Sequence, residues 1–187
     1  MWEESSEGSN AGNGSVMRCA PLAIVYTGDN AVRLQRVSRD SSRITHADPR
    51  CTHGCALLNL TIVGFLEGCT EPLAVALDEL DTDAPTELVE AVEPLTTPGA
   101  VSPETLANTG YVVDTLRTAL YHALDSDSAE AAIVEAVNEG GDADTIGAVA
   151  GAVAGARFGA SALPERWIDA LVVNEDLRSI AWQLTRR

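Results

Sequence analysis

Helical spacing organises this chain, and no stretch alternates apolar and polar residues for long enough to predict a strand. Between positions 111 and 124, Val112, Val113, Leu116, Leu120, Ala123 and Leu124 recur at three- and four-residue intervals, which predicts an amphipathic helix. Residues 56–66 are apolar nearly all round and predict a helix buried on every side. Asp29 is placed to cap a helix running to about Ser42, with Val32, Leu34 and Val37 near one face. Residues 78–103 combine an acidic run (Asp78, Glu79, Asp81, Asp83) with Pro85, Pro94, Pro98 and Pro103, predicting a short helix flanked by loops. Ser128 or a neighbour starts another helix, stopped by Gly140 and Gly141. The next begins at Asp142 and carries Gly147, Gly151 and Gly155 every fourth position, a face along which another helix can approach closely. Pro164 opens a further helix in its favoured early position, before a C-terminal segment ending in two arginines. The expectation is an all-α chain forming one domain over residues 1–187, without internal repeats.

Composition narrows the class. With 45% hydrophobic residues over 187 positions the chain can bury a real core. No stretch approaches the ~20 uninterrupted apolar residues of a membrane span, and the glycine-rich segment fails that reading on length and on Arg157. Nor does a basic start precede an apolar run, so the expected location is cytoplasmic, with no membrane partner. Charge changes the picture more. The 28 acidic residues against 12 basic ones give −16, and every one of the 12 is arginine. An acidic, lysine-free surface stays soluble at high salt, which points to a halophilic source. It also excludes a general nucleic-acid binder, because phosphate neutralisation needs clustered cations. Cys19, Cys51, Cys55 and Cys69 read as free thiols rather than a disulfide framework.

Three places could carry chemistry. In Asn138-Glu-Gly-Gly-Asp-Ala-Asp-Thr-Ile-Gly147, two carboxylates and a hydroxyl enter a helix after paired glycines and could present hard oxygen ligands to Mg²⁺, Mn²⁺ or Ca²⁺. On composition and spacing alone an N-cap is the favoured reading, since free backbone N–H groups and the helix dipole stabilise Asp142, and Asp144 with it, without any ion. An EF-hand is excluded, because Ile146 and Val153 fall where that loop needs oxygen ligands. The second place is the small-residue loop Asn10 to Ser15 opening onto the apolar run Val16 to Tyr26, either a phosphate-holding turn or merely a flexible one. A Walker loop is impossible without lysine. The third is the cluster His46, Asp48, Cys51, His53 and Cys55, whose spacing matches no common zinc site, so the cysteines read as small buried thiols. No serine or cysteine has a base and an orienting acid nearby in sequence, and no catalytic residue can be assigned.

Taken together, these places resemble the ADP-ribosylglycohydrolase family. Asn10-Ala-Gly-Asn-Gly-Ser-Val-Met-Arg18 with Ala20-Pro-Leu22 is similar to that family's central loop and helix, Ser42-Arg-Ile-Thr-His-Ala-Asp48 to its histidine motif, and Gly140-Gly-Asp-Ala-Asp-Thr-Ile-Gly147 to its C-terminal metal motif. The resemblance implies a compact, many-helix all-α fold with two Mg²⁺ (or Mn²⁺) ions in a cleft. It implies Asp142, Asp144 and Thr145 as metal ligands, Asn13, Gly14, Ser15 and Met17 along an ADP-ribose pocket, and His46 near the phosphates or ribose. The implied reaction is hydrolysis of the glycosidic bond of an ADP-ribosylated protein or a small ADP-ribose derivative by metal-activated water.

One departure qualifies this. The family's upstream Gly-Asp-Ala-like segment, metal-associated Glu and Thr-Asp-Asp-Thr-like run have no counterpart in residues 1–187. Two divalent ions carry four positive charges, and Asp142 with Asp144 offset two. The expectation is therefore an N-terminally truncated form, or one completed by a separately encoded N-terminal piece, holding at most one ion weakly. Stripped packing partners would leave apolar surface exposed. A non-catalytic ADP-ribose-binding module or remnant and a crystallin-like structural protein are the alternatives.

Overall fold

In the computed structural model, which describes residues 11–186, eleven α-helices account for the regular structure, and no strand is present among the described residues. Asn10, the first residue of the central motif, lies outside them. The chain enters on a loop at residues 11–15 and passes through two short helices, α1 (Val16–Cys19) and α2 (Pro21–Tyr26). It continues as α3 (Ala31–Arg43), α4 (Pro49–Leu66), α5 (Pro72–Glu79) and α6 (Thr86–Val92), with short 3-10 turns at Glu93–Thr96 and Pro103–Thr105. The second half is α7 (Val112–Asp125), α8 (Ala129–Asn138), α9 (Ala143–Phe158), α10 (Glu165–Ala170) and α11 (Asn174–Leu184).

α4 is the axis. Asp48 accepts the Arg50 backbone N–H, Pro49 fills the first turn, and every residue from Cys51 to Ile62 is buried. Around it pack α3, α5, α7 and α9. Leu57, Leu58, Leu116, Leu120 and Ile146 are wholly enclosed, each contributing about 1.5–3 kcal/mol relative to exposure. Gly54 lets α7 come in close, since a β-carbon there would stand 2.7 Å from Leu116 Cδ1. The glycine face of α9 works as expected against α8: a β-carbon at Gly147 would meet Val137 Cγ2 at 2.7 Å, and one at Gly151 would meet Ile133 Cδ1 at 3.7 Å.

Two local expectations need correction. The cap of α3 is Asn30, whose side chain accepts from the Arg33 N–H, while Asp29 pairs with the Arg33 guanidinium. Val32 is 72% exposed, and the inward face of α3 is Leu34, Gln35, Ser38 and Ser42. Polar groups can line that face because they are bonded. Gln35 Nε2 donates to the Glu79 carbonyl at 2.9 Å, its Oε1 accepts from Asp81 N at 2.8 Å, and Ser38 Oγ accepts from Asn59 Nδ2 at 2.9 Å.

Two apolar surfaces stand out. Leu171, Val172, Val173, Leu177, Ile180 and Trp182 stand out on the C-terminal segment, and an apolar groove between α2, α4 and α9 is lined by Pro21, Ile24, Ile62, Leu66 and Gly155. No helix is long and apolar enough to cross a membrane among the described residues.

Candidate functional site

The three motifs, spread over more than a hundred positions, converge at one end of α9. The strap at residues 108–111 joins them. Asn13 N–H donates to the Gly110 carbonyl at 3.1 Å, and Val112 N–H donates to the Ala11 carbonyl at 2.9 Å, making an isolated antiparallel bridge between Gly12 and Tyr111. On its other side, Asp142 N–H donates to the Asn108 carbonyl at 2.9 Å and Asn108 Nδ2 to the Glu139 carbonyl at 2.7 Å. Gly140 and Gly141 turn through φ of 75° and 57° here. A β-carbon on Gly141 would lie 2.1 Å from the Asn108 carbonyl oxygen, so only glycine fits.

Asp142 opens α9, yet its side chain makes no capping hydrogen bond. Its carboxylate is held from the side instead. Asn13 Nδ2 donates to Oδ2 at 2.5 Å and Thr145 Oγ1 to Oδ1 at 3.0 Å. These bonds, Asn13's first, hold the carboxyl below the usual carboxylate range against the opposing effect of burial, so it is ionised at neutral pH. Asp144 is exposed one helical step on, and the Thr145 hydroxyl also lies 3.7 Å from Met17 Sδ. Two carboxylates and a hydroxyl are hard oxygen donors of the kind Mg²⁺ or Mn²⁺ takes, and the uncapped carboxylate leaves lone pairs for an ion. The donor set fits such a cation.

His46 lies across the loop from this end. Its ring packs on Gly12 and Gly14, and a β-carbon at Gly14 would sit 2.7 Å from His46 Cε1. Arg18 donates to Thr45 Oγ1 at 2.6 Å and Thr45 Oγ1 lies 2.9 Å from His46 Nδ1. Nε2 lies on the side of the glycine loop, where a β-carbon at Gly14 would stand 3.1 Å from it. Burial first, and then the Arg18 charge, push the His46 pKa down, so the ring is neutral at neutral pH.

Of the residues singled out from sequence, Asn13, Asp142, Thr145 and Met17 are linked contact by contact, His46 packs on Gly14 of the same loop, and Asp144 is exposed. Ser15 differs: its side chain is buried and its Oγ has no hydrogen-bond partner. Asp48 stands apart as the cap of α4 and the partner of Arg50, which also donates to Tyr111 Oη at 2.9 Å. Cys51, Cys55 and Cys19 are buried thiols. Burial pushes Cys51 up to about 12, and its thiol donates to the Gly12 carbonyl at 3.2 Å.

Sequence reasoning missed Asn108 and Thr115, which belong to none of the three motifs, and Arg18 and Thr45, quoted within motifs but given no role. Of His53 it takes only its place in a cluster whose spacing matches no common zinc site. With Asp81 and Asp83, His53 forms a group whose ligand atoms lie within 4.8 Å and could hold a metal ion. Arg39 already pairs with both carboxylates, at 2.6 Å and 3.2 Å, and His53 Nε2 lies 3.2 Å from Asp83. That group braces α3 and α4 against the 81–83 loop.

Comparison with known proteins adds a family context. The profile of the ADP-ribosylglycohydrolase family matches residues 1–187. The chain is 31% identical over 98% of its length to the ADP-ribosylarginine hydrolase Tri1 of Serratia proteamaculans, covering 49% of that protein. It is 32% identical over 89% of its length to the ADP-ribosyl-[dinitrogen reductase] glycohydrolase of Rhodospirillum rubrum, covering 52% of it. A solved structure described as an ADP-ribosylglycohydrolase-related protein complex superposes with a TM-score of 0.82 at 33% identity, over 97% of this chain and 62% of that one. The chain thus spans about half the length of the curated relatives it matches.

Proposed function

The chain belongs to the ADP-ribosylglycohydrolase family, and from that premise we propose that it forms the C-terminal part of a metal-dependent site that hydrolyses the glycosidic bond of an ADP-ribosylated protein. The observation that carries this is the convergence of the Gly14 loop, His46 and the Asp142 end of α9, with Asn13 bonded to Asp142 at 2.5 Å.

Asp142, Asp144 and Thr145 would hold a divalent cation, Mg²⁺ or Mn²⁺ by their chemistry. When bound, such an ion supplies Lewis acidity and lowers the pKa of coordinated water. The chain's own residues do the rest. The glycine loop lets a ligand approach the backbone, with Gly14 leaving room that any side chain would take from His46. His46, neutral, presents its ring to the glycine loop beside the phosphates or ribose, and Arg18 behind it supplies local positive charge in a chain of net charge −16. Met17 at the foot of the loop packs on Thr145 and keeps the nucleotide side against the cation side.

Two carboxylates offset the charge of one divalent ion; a second ion would need ligands beyond this set. The substrate class follows relatives named for ADP-ribosylarginine and for ADP-ribosylated dinitrogen reductase. The test is release of ADP-ribose from an ADP-ribosylated arginine peptide by the protein isolated from its own cells. Release in Mg²⁺ that stops with EDTA is expected; binding of ADP-ribose without any release would replace the hydrolase with a non-catalytic ADP-ribose-binding module.

A further inference from the structure

Asn13 belongs to the loop beside the nucleotide side of the site, but its hydrogen bonds point elsewhere. The side-chain amide has two N–H donors. One goes to Asp142 Oδ2 at 2.5 Å and the other to Thr115 Oγ1 at 2.8 Å. Thr115 is fully buried on α7 and its own hydroxyl faces the Thr109 carbonyl at 3.3 Å, so it is the acceptor from Asn13. The backbone of Asn13 is equally committed: its N–H donates to the Gly110 carbonyl, and its carbonyl accepts from the N–H groups of Val16 and Met17. With 8% of its surface exposed and both amide protons spent inside the protein, Asn13 has no donor left for a ligand.

What these bonds accomplish is visible at Asp142. A carboxylate at the start of a helix ordinarily turns to accept the free N–H groups of the first turn, a contact worth about 1 kcal/mol. Asp142 makes none. Asn13 Nδ2 holds Oδ2 from the loop and the Thr145 hydroxyl holds Oδ1 from the first turn of α9, so the carboxylate is fixed by side chains and accepts none of the free backbone N–H groups.

We propose that Asn13 is a positioning residue for the cation site: the relay Thr115–Asn13 prevents Asp142 from capping α9 and aims its carboxylate at a divalent ion, and Asn13 does not itself touch the nucleotide. This rests on the cation reading at Asp142 made above. Partners that orient a ligating carboxylate typically change metal affinity by about 10–100-fold when removed.

Mn²⁺ binding, read by the loss of the free-ion electron paramagnetic resonance signal, tests it on the full chain. Asn13→Ala is expected to bind Mn²⁺ about tenfold or more weakly and to change the line shape of the bound ion, while keeping its helical circular dichroism. Thr115→Val, which removes only the anchor of the relay, should weaken binding less. Asn59→Ala removes another buried asparagine, bonded to Ser38 and remote from the site, and should leave Mn²⁺ affinity unchanged; a loss equal to that of Asn13→Ala overturns the positioning role in favour of general destabilisation. If Asp142→Asn abolishes binding while Asn13→Ala binds like wild type, the inference fails and the cation reading stands. If Asp142→Asn binds like wild type, or the wild-type chain binds no Mn²⁺, the cation reading itself fails. Should Asn13→Ala not fold, Thr115→Val decides, and wild-type affinity there overturns the inference.

Discussion

His46 rests on Gly14 so closely that a β-carbon at that glycine would stand 2.7 Å from Cε1 and 3.1 Å from Nε2. The imidazole can shift, so Gly14→Ala should fold normally and bind ADP-ribose several-fold more weakly. Gly14→Trp fills the space between loop and ring and should abolish binding with unchanged circular dichroism. Titration calorimetry checks both, and wild-type affinity in the tryptophan variant would remove the loop from the site.

Gly141 carries a stricter demand. Its φ of 57° is left-handed and its would-be β-carbon overlaps a backbone oxygen, that of Asn108, which has no rotamer to change. Gly141→Ala should cost roughly 1–3 kcal/mol and loosen the Asn108–Asp142 link. Gly155→Ala is the contrast, since nothing stands within 4 Å of its would-be β-carbon in the last turn of α9. There the change should stabilise, by up to about 1 kcal/mol. Thermal melts of both variants give the comparison, and a neutral Gly141→Ala would contradict the tight turn.

Asp48 gives a pH signature away from the site. Hydrogen bonds from the Arg50 guanidinium, more than its backbone N–H, hold the folded pKa of Asp48 below its ordinary value, against the effect of burial. A depressed folded pKa means stabilisation that is fully present above the unfolded value of about 3.9 and is lost as pH falls through the folded value. Asn keeps a capping side chain, so Asp48→Asn isolates the charge. Its melting temperature should fall below wild type at pH 6, and the gap should close below about pH 4; a gap constant with pH would assign the effect to packing.

The charge of −16, from 28 acidic and 12 arginine residues, predicts self-repulsion at low ionic strength. Helicity and melting temperature should rise from dilute buffer into molar KCl. Indifference to salt would reject the halophilic reading.

How far the sequence discloses this molecule depends on what a residue contacts. α7, α8 and α9 were legible because their inward residues are apolar and helically spaced, and the glycine spacing of α9 anticipated the close approach of Val137 and Ile133. α3 was misread at Val32 because its inward face is built from Gln35, Ser38 and Ser42, bonded polar residues that a count of apolar positions passes over. At the site, each motif was legible alone. Their junction was not: Asn13 and Asp142 are 129 positions apart, and Asn108 and Thr115 carry no composition or spacing signal. The ambiguity at Asp142 between cap and ligand is a matter of where the carboxylate points, which only the Asn13 and Thr145 bonds reveal.

If the Gly14 loop with His46 and the Asp142 end of α9 form one site, a divalent ion held at Asp142 acts on a ligand held at the loop, and the affinity of the chain for ADP-ribose depends on Mg²⁺. Mg²⁺ should then tighten binding in wild type and have no effect in Asp142→Asn. Equal affinities in Mg²⁺ and in EDTA would make the loop and the acidic end two separate places.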